Sequence, residues 1–281
     1  MRTSSLRPFA LACLASGLLL TTGCQRNDVQ PDEDITTAED RSEDNLETAF
    51  SADIMTSARP QDGDLNNSPA VAGSLELRRI YGTCATRTYD ARTRMLTIDL
   101  GPVNCLCPDG RYRRGKIVVA FTTDTPTRRA GAIVTRENYF VNDNQHTATR
   151  IFTDLSLGSF TVEVPSASII RANNGGTHSW TANWTFTRTA GFNTDITADD
   201  VYSVTGAASG TNRRGTTYTT AIESPLIKRG DCYKYYVAGT VRITNSRSKA
   251  MLLNYDPSGN QACDNTATVT INGRTKTITL R

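Results

Sequence analysis

His178-Ser-Trp-Thr-Ala-Asn-Trp-Thr-Phe-Thr-Arg188 alternates strictly, placing Trp180, Ala182, Trp184 and Phe186 on one side and Thr181, Asn183, Thr185 and Thr187 on the other. A period of two, with bulky apolar groups on one face and hydroxyls on the other, is the pattern of a half-buried antiparallel strand. The same alternation runs outward in both directions from Gly82 to the C-terminus, through segments rich in Thr, Val, Ile and Tyr. Reversals fall at Asp109-Gly110, Asn174-Gly175-Gly176, Asn212-Arg213-Arg214-Gly215 and Asp256-Pro257-Ser258-Gly259. Asn272-Gly273, between Thr266–Ile271 and Arg274–Leu280, marks a two-residue hairpin turn with positive φ at both centres. About a dozen strands result. No helical period follows residue 60, so the crossovers that a parallel sheet requires are missing. The expected fold is therefore all-β: an antiparallel meander packed as a sandwich or as a partly closed barrel.

The N-terminus reads differently. Arg2 and Arg7 precede an apolar run from Phe9 to Leu20, and Leu20-Thr21-Thr22-Gly23-Cys24 follows. The run is shorter than the ~20 residues needed to span a bilayer. Residues 1–23 therefore read as an export signal, with Cys24 as the lipidated first residue of the mature chain. Charge divides what remains. Residues 25–64 carry 12 acidic and 3 basic side chains, whereas residues 65–281 carry 26 basic and 16 acidic ones. Residues 24–64 read as an acidic flexible tether, and 65–281 as the β domain. Within the tether, Leu46, Phe50 and Ile54 recur every four residues in a run free of Gly and Pro, which predicts a short helix over 39–58, read first as a spacer and otherwise as a helix docked on the domain or on a partner.

Cys13 leaves with the signal, so the β domain keeps Cys84, Cys105, Cys107, Cys232 and Cys263. In an exported chain these are expected to pair with near neighbours: Cys84 with Cys105 or Cys107, and Cys232 with Cys263. Cys84 can bridge to only one of Cys105 and Cys107, leaving the other as a buried, inert thiol. Their spacing is too short for a zinc knuckle, and no metal or other cofactor is expected.

Motifs for nucleophilic catalysis are not found. The two histidines, His146 and His178, lie in separate hairpins without a Ser or Cys motif beside them. Gly210-Thr-Asn-Arg-Arg-Gly215 reads as a hairpin turn, since no helix follows it to hold a phosphate. Asp199-Asp200 lacks the rest of a calcium loop. The positive signal is basic charge: Arg111, Arg113, Arg114 and Lys116, then Arg213 and Arg214, with Arg128-Arg129, Lys228-Arg229 and Tyr233, Tyr235 and Tyr236 as further basic or aromatic groups. These six lead residues are candidates for binding an anionic polymer such as an acidic polysaccharide, without specific nucleic-acid recognition. The acidic tether is also a natural mask for this face.

Asp199-Asp-Val-Tyr, Val204-Thr-Gly-Ala-Ala-Ser-Gly-Thr-Asn-Arg213, Ser224-Pro-Leu before Cys232, and Cys263-Asp-Asn through Arg281 occur together here with Asp109-Gly-Arg111, Arg114-Gly-Lys-Ile117 and Asn138-Tyr-Phe-Val-Asn142. Over residues 84–281 this arrangement resembles an uncharacterised family of lipoproteins of Bacteroidota. The resemblance implies lipidation, an outer-membrane location facing periplasm or surface, and a repetitive β architecture. It implies no catalytic residue. The expected function is that of an envelope-anchored, non-enzymatic binding or structural module, held in the membrane through Cys24. Two other readings stay open: a carbohydrate-active hydrolase using carboxylates from separate strands, and an accessory subunit that docks an envelope protein through a sheet edge or the helix near Leu46–Ile54.

Overall fold

The computed structural model describes residues 34–58, 75–90, 92–122, 131–156, 158–194, 197–246 and 250–280. The expected signal, Cys24 and Arg128-Arg129 lie outside them. The strands are β1 (Thr86–Asp90), β2 (Met95–Asp99), β3 (Cys105–Leu106), β4 (Tyr112–Phe121), β5 (Ala132–Val141), β6 (Asn144–Ser156) and β7 (Ser159–Ile170). They continue with β8 (Thr177–Ala190), β9 (Val201–Thr211), β10 (Thr217–Arg229), β11 (Ala238–Asn245), β12 (Ala250–Asn254), β13 (Thr266–Ile271) and β14 (Arg274–Thr279). All belong to one antiparallel sheet in sequence order, with β3 as a side branch on β4. β1 and β14 end that order and do not pair with each other among the described residues, so the sheet is an unclosed curl.

The quoted strand behaves as its alternation dictates. In β8, His178, Trp180, Ala182, Trp184 and Phe186 are buried while Ser179, Thr181 and Asn183 are exposed. Phe160 of β7 stacks on Phe186 at 4.8 Å between ring centroids, and Phe152 of β6 and Tyr202 of β9 pack against Phe160. Register shifts in β4–β5, β5–β6, β6–β7, β7–β8 and β9–β10 bend the long strands and add twist, which lets a single sheet wrap. At the β4–β5 shift, Gly115 has a φ of 93°, and a Cβ there would sit 2.0 Å from the Asn138 carbonyl oxygen. Only glycine allows that approach.

Helix α1 (Thr36–Ala58) lies inside this curl. Its residues meet groups from β4, β5, β6, β8, β10 and Tyr255 after β12, and Asp34–Arg281 forms one compact unit. The helix expected over 39–58 thus exists, but the spacer reading is corrected: α1 is part of the core. A second helix, α2 (Leu75–Tyr81), was not expected; seven residues are too few for a helical period to show. Leu77, Ile80 and Tyr81 of α2 are buried, and Tyr81 meets Phe50 of α1 edge-on.

Two disulfides close the expected loops, Cys84–Cys105 and Cys232–Cys263, and Cys107 is left as a buried thiol. Burial pushes the Cys107 thiol pKa up, so it stays protonated and inert. The Cys232–Cys263 bridge spans 31 residues. Replacing both cysteines with serine is expected to lower stability by about 3–4 kcal/mol in urea unfolding.

Candidate functional site

A polar helix enclosed on every side needs its polar groups answered locally. α1 does this in two ways. Its hydroxyls bond back to its own carbonyls: Ser42 to Glu39, Thr48 to Asp44 and Ser51 to Glu47. Its charges are met by the inward face of the sheet and by the turns at one mouth.

At the mouth, Asp40 accepts from Arg171 Nη2 at 2.8 Å and from the Arg213 backbone N–H at 2.7 Å, and it also meets the Arg213 guanidinium. Glu43 pairs with Arg171, Glu39 with Arg213, and Asn212 donates to Thr37 Oγ1 at 2.8 Å. One helical turn deeper, Arg41 pairs with Asp44 and stacks 4.6 Å above the Trp184 ring. Tyr218 donates to Asp44 Oδ2 at 3.2 Å and shares a hydrogen bond with His178 Nε2 at 2.8 Å. Burial pushes the Asp44 carboxyl up to about 7, against the pull of Arg41, and burial drives His178 down to about 3. Deeper still, Glu47 pairs with Arg136, and His146 Nδ1 lies 3.6 Å from the same carboxylate. Burial alone would raise the Glu47 pKa; Arg136 and His146 more than offset it and hold the group well below its ordinary range. Asn45 donates to the Tyr255 hydroxyl at 2.7 Å, and Lys228 meets Asp53 at 3.0 Å.

Each of the six basic candidates meets a carboxylate of the protein. Arg113 is buried, forks onto Asp109 at 2.6 and 2.7 Å, and lies over Phe50, so it is a core residue and not a surface one. Arg111 lies 3.8 Å from Asp109 and Lys116 3.0 Å from Asp99. Arg114 pairs with Asp143 and covers Phe140. Arg213 is held by Glu39 and Asp40, and Arg214 lies 3.3 Å from Asp34. The candidates therefore form no shared patch: four belong to the β4 region and two to the β9–β10 turn. The acidic segment does cover Arg213, but as a structural element. Both histidines face the interior.

The outer wall carries a different feature. Across β7–β11 a shallow trough of about 710 Å³ opens outward. Cross-strand register lines up Thr181, Ser209, Thr219 and Thr244 as one row of exposed hydroxyls over four strands. Thr181 Oγ1 and Ser209 Oγ are 3.2 Å apart. Ser179, Thr211 and Thr217 form a parallel row. Gly210 lies between the rows, where a Cβ would meet the Ser179 carbonyl at 2.3 Å and the Tyr218 hydroxyl at 2.7 Å. Among the described residues, no charged side chain lines the trough. Nothing in the linear sequence marks it, because the array arises from the pairing of five strands. No family model, curated protein or solved structure matches the chain.

Proposed function

We propose that this chain is an envelope-anchored, non-enzymatic binding module, lipidated at Cys24 and placed at the outer membrane, whose ligand is a neutral polyhydroxylated polymer received by the trough on β7–β11. The observation that carries the reading is the charge-free double row of hydroxyls in a concave surface of about 710 Å³. Hydroxyl groups both donate and accept, which suits a sugar chain that does the same. An anionic polymer is less favoured because each basic candidate already faces a protein carboxylate. The anchor is close by in sequence: Cys24 lies ten residues before Asp34, within about 36 Å of extended chain. Docking a partner through the Leu46–Ile54 face is disfavoured because that face is buried; the free edges β1 and β14 are the remaining route for an accessory role.

Residues 34–281, presented to neutral and acidic polysaccharides at low and moderate salt, should retain a neutral polymer without salt dependence. Ser209→Arg, which fills the trough from an exposed position, should weaken retention at least tenfold and leave unfolding unchanged. Retention of acidic polymers alone, lost with salt, would overturn the assignment, as would equal retention by the Ser209→Arg protein.

A further inference from the structure

At the level of Glu47 the sheet supplies more positive charge than α1 returns. Arg136 of β5 and His146 and Arg150 of β6 all face inward and are buried. The carboxylate among them is Glu47, paired with Arg136. Arg150 is fully buried, yet its Nε, Nη1 and Nη2 have no hydrogen-bond partner among the described residues. Arg136 Nε and Nη1 and both ring nitrogens of His146 are in the same condition. A guanidinium carries five N–H donors and no acceptor, so the two arginines cannot satisfy each other. Within this layer the count stays positive, while nearer the mouth Glu39, Asp40 and Glu43 answer Arg171 and Arg213. Arg41, Arg136 and Arg150 face Asp44 and Glu47, and Asp44 is already bonded to Arg41 and Tyr218. Burial and the Arg136 charge lower Arg150 only to about 9, which leaves it a cation at neutral pH.

We propose that Arg150, with Arg136 and His146, binds a small monovalent anion of the halide class in the interior of the curled sheet. The charge follows from the excess of one positive group in this layer. The size follows from enclosure, since α1 and the sheet bury this layer, and the inward residue between His146 and Arg150 is Ala148, which offers only a methyl. A water molecule would satisfy N–H donors but leave the charge unmet.

The test uses the intact chain in chloride–gluconate mixtures at constant ionic strength. Chloride should stabilise saturably, each tenfold rise above its dissociation constant lowering the unfolding constant tenfold. Arg150→Met should abolish that response. Should this variant not fold, crystals of the unaltered protein grown in bromide decide the matter through an anomalous peak within hydrogen-bonding reach of Arg150. A flat chloride response in the unaltered protein, a response that survives Arg150→Met, or water alone beside Arg150 in the bromide crystals would overturn the proposal.

Discussion

Glu47→Gln is expected to lower stability by about 3–5 kcal/mol, the cost of removing one partner from a buried charge pair. Glu47 is the carboxylate among Arg136, His146 and Arg150, and all four side chains are buried. Glutamine keeps the shape of the side chain and one acceptor oxygen but removes the charge that holds Arg136. The two partners lie 89 residues apart in sequence, so the pair ties helix to sheet and not one strand to the next. Removing both ends should cost less than the sum of the single losses: Glu47→Gln with Arg136→Met is expected to recover part of the deficit. Urea unfolding of the two single variants and the double variant measures this. A loss below about 1 kcal/mol for Glu47→Gln would mean that the pair is solvated, as surface pairs are.

The second large effect is in pH dependence. Folded Asp44 titrates near 7 and its ordinary value is 3.8, so between those values the folded chain holds a proton that the unfolded chain has released. Its contribution makes stability fall as pH rises through that window. His178 has the opposite sign. Its folded value is about 3 against an ordinary 6.5, so the unfolded chain binds the extra proton and stability rises with pH. The two residues share Tyr218, and their slopes cancel between about pH 4 and 6.5. Asp44→Asn uncovers the His178 slope: relative to the parent, stability should rise with pH by up to about 1.4 kcal/mol per unit. His178→Gln should give a slope of the same size and opposite sign. Above about pH 7, where the parent's Asp44 is ionised, Asp44→Asn should also be less stable, because Arg41 loses its carboxylate. Parallel profiles for parent and both variants would contradict the placement of these groups.

Much of this architecture could be read along the chain. Period-two alternation located β8, and Asn272-Gly273 located the last hairpin, where both residues do take positive φ. Local pairing of Cys232 with Cys263 followed from their proximity in sequence. The position of α1 was hidden for a physical reason. Its acids read as solvated because the groups that meet them, Arg136, His146, His178 and Arg213, come from elements distant in sequence. One signal was available. His146, Ala148, Arg150 and Phe152 share the inward face of β6, and charged groups in register with a core aromatic mark a buried polar partner. The basic residues misled in the same way, since Arg113 looked like part of a surface run and is instead a buried support under Phe50.

Whether α1 belongs inside the sheet is decided most directly by native-state hydrogen exchange of the amides from Asp40 to Ile54. Enclosure predicts that they exchange only through global unfolding, with the same free energy and the same denaturant dependence as the amides of β8. Exchange at the rate of an exposed helix, while β8 remains protected, would show α1 to be a spacer outside the core and would contradict the account.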